Sequence, residues 1–279
     1  MAMSSKVSSN PHEMRLEGKV AIVTGSTMGI GKAIAARCAR EGARVVVHGL
    51  EAEMGREVVA SLGPDKAALL VGDLSEPGLC QRLVDLAVAR FGRLDAVVNN
   101  AAIVASSNIH TTDAAFLRRL LEVNTIAPFL LIQAALPQLA ATRGSVLNIG
   151  SVNAYSGEPD LLAYSVSKGA LMTLTRNLGD TLFREHQVRV NQINPGWVLT
   201  EKEVQRKRAH GLPDDWYRDL PAAYAPAGRI LKPEEIAAAA LPWLEDESGP
   251  VSGQVLDLEQ YPFIGRNPPK DTSTIPVRP

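Results

Sequence analysis

A serine, a tyrosine and a lysine lie close enough in the chain to form one reactive group. Tyr164 and Lys168 are four residues apart in AYSVSK, so on a helix they share a face, one turn apart. A phenol with an unperturbed pKa of about 10 is a poor base at neutral pH, but a fixed ammonium beside it favours phenolate and makes it a proton carrier. Ser151 ends the apolar run VLNIGS, a buried strand by its composition, thirteen residues before the tyrosine. A loop of that length can fold the hydroxyl back onto the substrate oxygen whose proton Tyr164 moves. A tyrosine and lysine at this spacing also occur by chance on amphipathic helices, so their weight depends on the elements around them.

Upstream, the β-branched run KVAIVT is followed at once by Gly25-Ser-Thr-Met-Gly-Ile-Gly31 and then by the helical pattern KAIAARCAREG. In such a strand, glycine turn and helix, backbone can approach a diphosphate and the helix's first N–H groups face its charge. A tight turn with no ligand is the plain alternative. The strand Arg44–Val47 runs into His48-Gly49-Leu50-Glu51, where an adenosine ribose would lie. An acid there suits the free hydroxyls of NAD and a base the phosphate of NADP, and Gly49 and Leu50 supply neither. Asp73, ending the strand AALLVGD, either meets an adenine amino group or caps the helix 76–91. After the strand Leu94–Val98, Asn99-Asn100-Ala101-Ala102 binds a ligand or ties strands together. Asn124 is the one polar residue in the apolar face of a long helix over 112–141, and composition favours a packed structural amide over the holder of a water. The strand Val188–Ile193 leads into Asn194-Pro195-Gly196, and the charged, aromatic stretch 197–229 reads as a lid or a surface excursion. A helix over 233–245 and a strand over 253–258 close the core. Strands alternating with helices specify one α/β, Rossmann-like domain over 16–260: a doubly wound, mostly parallel sheet of about seven strands with helices on both faces.

The chain has 279 residues, 46% hydrophobic and 21% charged, with a formal net charge of −1. It can bury a large core, and its balance and lack of basic runs exclude nucleic acid or an anionic membrane as main partner. Cys38 and Cys80 are isolated and the five histidines scattered, so reduced thiols and no metal are expected. No apolar run is seen to approach a membrane span of roughly 18 residues, and the expectation is a soluble, cytoplasmic protein. Residues 1–15 read as a mobile tail; 261–279, rich in proline, as a tail that is disordered or lies across another subunit.

With TGSTMGIG at 24–31, NNAA at 99–102, Asn124, Ser151, YSVSK at 164–168 and NPG at 194–196, the chain resembles the short-chain dehydrogenase/reductases over residues 16 to 258. The resemblance implies that Tyr164 is the general acid/base, that Lys168 lowers its pKa and binds the nicotinamide ribose, and that Ser151 orients the substrate oxygen. It also makes Asn124 part of a proton relay through water, overriding the structural reading. Gly25, Thr27, Met28, Gly29, Ile30 and Gly31 would hold the diphosphate. Gly49, Leu50, Asp73, Leu74, Asn100, Ala101 and Ala102 would line the adenosine side. Ile193, Pro195, Gly196, Val198 and Thr200 would meet the nicotinamide end. Such proteins are mostly homotetramers. Three departures stand out: Ala102 replaces a usual glycine, the second strand lacks its usual acid or base, and Leu258-Glu259-Gln260-Tyr261 replaces a common Asp-Gly-Gly. An unmatched phosphate beside Glu51 would be repelled, which favours NAD over NADP.

The expected reaction is hydride transfer between a secondary alcohol and NAD(P). GWVLT, the charged lid and the altered close look like members acting on sugars or polyols, and a sugar, polyol or sugar acid would meet Ser151, Asn153, Glu158, Trp197, Glu201 and Gln260, unless these polar groups are a solvated rim. The rival is a 3-oxoacyl or small-ketone reductase using NADPH, which needs an apolar cleft and a base near Met28 or Leu50. A nucleotide-binding regulator without turnover would have lost Tyr164 or Lys168, and both are present.

Overall fold

The structure, a computed structural model, describes residues 14–155 and 157–262. The expected tails lie outside them, apart from Met14, Arg15, Tyr261 and Pro262. Among the described residues, seven strands form one sheet in the order β3-β2-β1-β4-β5-β6-β7, every pair parallel. They are β1 (Val20–Val23), β2 (Arg44–Gly49), β3 (Ala67–Val71), β4 (Ala96–Asn99), β5 (Ser145–Ile149), β6 (Arg189–Pro195) and β7 (Val255–Leu258). Parallel strands need crossovers, and the helices that supply them cover both faces. One face carries α1 (Gly29–Arg40), α2 (Ala52–Leu62) and α8 (Pro233–Leu244), around a core that includes Ile34, Val58 and Leu241. The other carries α3 (Leu79–Phe91), α5 (Ala127–Thr142) and α6 (Leu162–His186), around Leu83, Leu131 and Leu182. The strand order reverses between β1 and β4, so their carboxyl ends diverge into the crevice where such sheets bind ligands.

Three features depart from the sequence reading. Helix α2 stands between β2 and β3, where no helix was expected. The long helix is not uniform: α4 (Ala114–Leu121) passes into α5 through one π-helical turn, Glu122–Ile126, that contains Asn124. In α-helical register the donor to the Asn124 carbonyl would be residue 128, which is Pro128 and has no N–H, so the wider turn forms where the tighter one cannot be completed. Ala114–Thr142 as a whole is also long and apolar enough to cross a membrane, with mean hydropathy 1.4 in its most apolar window. That window is 44% buried, and α5 packs against α3 and the sheet.

The stretch 197–229 is folded. Its helix α7 (Glu201–Ala209) starts on Thr200, whose Oγ1 accepts from the Glu203 N–H at 3.1 Å. Trp197 and Trp216 stack at 5.0 Å, and Trp216 packs with Ala225 and Ile230 in a small separate core.

Candidate active site

Each reactive side chain is fixed by an element end. Ser151 follows β5 through Gly150, where a Cβ would stand 2.1 Å from Asn194 Oδ1. Only glycine lets that amide reach past it to accept from the Ser151 N–H at 3.1 Å. Asn194 belongs to a buried chain of side chains beneath the site. Asn99 Nδ2 donates to Asn148 at 2.8 Å, Asn148 to Thr175 at 2.8 Å, Thr175 to Gln192 at 2.8 Å, Gln192 to Asn194 at 2.6 Å and Asn194 to Asp257 at 3.0 Å. Every member is satisfied, so the chain locks the carboxyl ends of β4 to β7 in register under the serine.

Tyr164 and Lys168 lie one turn apart on α6, 9% and 2% exposed, and Tyr164 is hydrogen-bonded to Ser151. Lys168 Nζ lies 5.7 Å from the phenol ring centroid and donates to the Ile149 carbonyl at 2.7 Å. The expected drop in the tyrosine's pKa is reversed in the protein alone. Burial pushes Tyr164 up to about 12, against the Ser151 hydrogen bond and Arg206, and pushes Lys168 down to about 7. Both groups are out of water, and desolvation disfavours each charged form.

Asn124 does not face the cavity. It is fully buried; its Oδ1 accepts from the Ile103 N–H at 2.8 Å, and its Nδ2 donates to the Ile103 carbonyl at 3.0 Å and to Ser167 Oγ at 2.9 Å. The side chain bolts the strand-end loop to α6 beside the tyrosine, which is the packed amide that composition favours.

A cavity of about 1100 Å³ runs from the end of β2 to the lid. It brings together Ser151, Asn153, Glu158, Tyr164, Lys168 and Trp197 with Gly25, Thr27, Met28, Gly29, Ile30, Gly49, Leu50, Asp73, Leu74, Asn100, Ala101, Ala102, Pro195, Gly196, Val198 and Thr200. Gly31 is not among the lining residues: a Cβ there would fall 2.3 Å from the Gly25 carbonyl, so this glycine is required by packing of α1 against its own turn. Ile193 is buried in β6 and does not line it. Gln260 is also absent. Its Oε1 accepts from the Ala227 N–H at 2.9 Å and its Nε2 donates to the Arg229 carbonyl at 2.7 Å, while Glu259 accepts from the Trp197 N–H at 2.9 Å. The unusual close after β7 thus pins both ends of the lid.

Asp73 lines the cavity but does not cap α3, whose N-cap is Gly78. Its Oδ1 accepts from Ser75 N at 2.9 Å and its Oδ2 from Arg119; against the cost of burial, these hold its carboxyl down to about 2. Asn100 ties strands as well as lining the cavity, donating to the carbonyls of Thr24 and Gly25 at 2.9 and 3.0 Å. His48, buried behind the glycine turn, accepts from Gly25 N at 3.3 Å and meets the Gly72 carbonyl at 3.1 Å. Burial lowers its pKa, and the neutral ring joins the turn to the ends of β2 and β3.

Lid helix α7 turns Glu201, expected at the substrate, onto the glycine turn, and adds Lys202, Glu203 and Arg206, which the sequence reading missed. Glu201 Oε2 accepts from the Gly29 N–H at 3.2 Å, and Lys202 Nζ stands 3.6 Å from Glu51 Oε1. Glu203 and Arg206 form a two-point fork at 2.9 and 2.8 Å within the cavity lining. The signal for this helix was present in TEKE, a threonine with glutamate three residues on.

The glycine turn fits an anionic ligand on direct observation. Met28 at the N-cap of α1 makes no side-chain cap and the first turn holds no acid, and a carboxylate from α7 occupies the N–H instead. The arrangement places an acid–base pair and a serine hydroxyl at one end of a cavity whose other end is built for a nucleotide.

The chain's similarities agree. A family model described as enoyl-(acyl carrier protein) reductase matches residues 25–259. Mouse L-fucose dehydrogenase is 37% identical over 81% of this chain and 82% of its own. The NADP-dependent (R)-specific alcohol dehydrogenase of Lentilactobacillus kefiri is 33% identical over 84% and 92%. A crystal structure from Brucella melitensis, titled a short-chain dehydrogenase/reductase and glucose/ribitol dehydrogenase, superposes with a TM-score of 0.79 at 28% identity over 88% of this chain and 96% of that one. With a fold, a site and relatives that coincide, this chain belongs to the short-chain dehydrogenase/reductase family and is an NAD(P)-dependent oxidoreductase acting on CH–OH groups.

Proposed function

We propose that the protein interconverts a secondary alcohol and a ketone on a sugar, polyol or related polyhydroxy compound, with Tyr164 moving the hydroxyl proton. The observation that carries this reading is the lining beside Tyr164. Asn153, Glu158, Glu203 and Arg206 face one cavity with Ser151 and the phenol, giving donors and acceptors for several hydroxyls. An acyl chain would need an apolar cleft in their place. Relatives named for fucose and for glucose or ribitol support the same class.

When bound, the nicotinamide accepts or gives the hydride. The chain's own residues do the rest. Ser151 orients the substrate oxygen and Tyr164 exchanges its proton. Lys168, between the phenol and the Ile149 carbonyl, would hold the nicotinamide ribose. Gly25 and Gly29 let the backbone approach the diphosphate, with φ of +62° and +54° that other residues rarely adopt. The experiment is reduction of NAD⁺ and NADP⁺ across sugars, polyols, sugar acids and simple secondary alcohols; activity confined to 3-oxoacyl or simple ketone substrates would overturn the reading.

We assign NAD as the cofactor. Glu51, fixed by Thr27 Oγ1 at 2.9 Å, presents a carboxylate to the adenosine end of the cavity. Lys202 is a base the strand itself does not supply, yet it is drawn onto Glu51. Tighter binding of NADP than of NAD would refute this assignment.

The Glu201 carboxylate competes with a diphosphate for the Gly29 N–H. Glu201→Gln is expected to tighten NAD binding about fivefold, the scale of one charge at a helix N-terminus. Calorimetric titration tests it, and an unchanged or weaker Kd would rule out competition.

Exposed Phe129, Leu130 and Val166 on α5 and α6 support assembly into a homotetramer, which light scattering tests. The buried thiols Cys38 and Cys80, both raised in pKa by burial, suit a reducing cytoplasm.

A further inference from the structure

The cations facing the substrate end of the cavity already have partners. Arg206 gives Nε and one Nη to the two oxygens of Glu203 at 2.9 and 2.8 Å. Glu203 is held in turn by Trp197 Nε1 at 2.9 Å. Lys207 lies 4.9 Å from the Trp197 ring and 5.5 Å from that of Trp216, and Lys168 is on the Ile149 carbonyl. The helix that carries Glu203, Arg206 and Lys207 is therefore oriented by a cap, a fork and an aromatic stack, and its charged face is set beside Tyr164. Glu158, exposed at the cavity's mouth, adds a further carboxylate.

From this arrangement we infer that Arg206, held by Glu203, is the specificity-determining residue on the substrate side of Tyr164, and that the pocket selects a neutral polyhydroxy alcohol over a hydroxy acid. The inference rests on the reaction proposed above and narrows its substrate class. A substrate carboxylate would have to give up its water beside the like charges of Glu203 and Glu158 for a guanidinium whose charge is already offset by Glu203, so its desolvation is not repaid. A hydroxyl both accepts and donates, so it can take the remaining Arg206 N–H groups and give its proton to a carboxylate. Unpaired polar groups left by a wrong substrate are what makes such a site selective.

The same guanidinium acts on the phenol. The charged groups facing Tyr164 are Lys168 on its own helix, Arg206 and Glu203 on α7, and Glu158. Arg206 draws the phenol's pKa down, and Glu158 and Glu203 draw it up. Arg206 thus has two separable effects, on substrate affinity and on the pH at which the proton moves.

The test compares ribitol and L-fucose with D-ribonate and L-fuconate, in wild type, Arg206→Gln, Arg206→Lys and the neutral double variant Glu203→Gln/Arg206→Gln, which keeps a hydrogen-bonded pair if loss of the cation alone disturbs α7. The wild type is expected to prefer the neutral compounds by about tenfold or more in kcat/KM. Arg206→Gln is expected to raise their KM at least about tenfold with a smaller change in kcat, and to move the alkaline limb of the pH profile for alcohol oxidation upward. Arg206→Lys should restore the pH profile more than the KM, because it keeps the charge and loses the fork. The preference is also read without turnover, from the quenching of tryptophan fluorescence by ribitol and by ribonate in the presence of NAD⁺. Tighter binding or faster turnover of the acids, or an Arg206→Gln enzyme with unchanged KM and pH profile, overturns the inference. Failure of every alcohol to turn over, with ribitol still bound better than ribonate, instead removes the proposed reaction and leaves the selectivity standing.

Discussion

Tyr164→Phe is expected to lower kcat for alcohol oxidation by about a thousandfold, within the range general acid–base catalysis contributes, while the Kd for NAD changes by less than about twofold. The substitution removes one hydroxyl and keeps the ring, which packs with Leu120, Leu161 and Ala163. Folding and cofactor affinity should therefore survive, and the loss is isolated in the proton step. Burial holds the wild-type phenol at about 12, so at neutral pH it carries its proton and is ready to protonate a ketone oxygen. Oxidation needs the phenolate, and its rate should rise with pH through the alkaline range where the rate of ketone reduction falls. A Tyr164→Phe enzyme retaining more than about a tenth of wild-type kcat would exclude Tyr164 as the acid–base.

The second large effect lies in stability. Burial drives Lys168 from 10.5 to about 7 in the folded protein. Between those values the unfolded chain binds a proton that the folded chain does not, so stability rises with pH across the window. Below about pH 7 both states are protonated and the whole cost is present, about 5 kcal/mol at 1.36 kcal/mol per unit. Lys168→Met, which keeps an unbranched apolar stem and removes the ammonium, should be more stable than wild type at pH 6 by several kcal/mol. Its stability should be nearly flat from pH 7 to 10, where the wild type gains. Above pH 10 both proteins should lose stability, because Tyr164 keeps a proton when folded that it releases when unfolded. The same variant should lose activity by at least about a hundredfold. Urea unfolding at pH 6, 8 and 9.5, without nucleotide, makes the comparison; parallel curves for the two proteins would mean that Lys168 is not desolvated. A residue that weakens the resting fold and is needed for turnover is the trade expected at an active site.

Much of the architecture was legible from short-range patterns. Apolar β-branched runs ending in glycine or asparagine marked the strands, and a period of 3.6 marked α1, α3 and α6. Tyr164 and Lys168 were visible as a pair because a helix turns i and i+4 to one side, and Ser151 because a strand end must release the chain near them. These signals are local, and each is written in a dozen residues or fewer.

What the tertiary structure decided involves partners far apart in the chain. The sequence could not show that Asn124 spends its amide on Ile103 and Ser167, because an asparagine in an apolar helix face looks the same whether it holds a water or a neighbouring helix. Gly31 was placed on the diphosphate, and its reason is the Gly25 carbonyl that a Cβ would strike; Gly150 drew no reading, and its reason is the Asn194 amide that arrives from β6. Gln260 was placed near substrate by its type, and the fold uses it to hold the far end of the lid. The partners of the charges that tune the site, Gly29 for Glu201, Glu51 for Lys202 and Tyr164 for Arg206, were invisible for the same reason. Periodicity records how a residue relates to its neighbours along the chain, whereas an ion pair or a desolvated amine is set by distance and burial, which exist only once the sheet has brought β1, β5 and the lid to one edge.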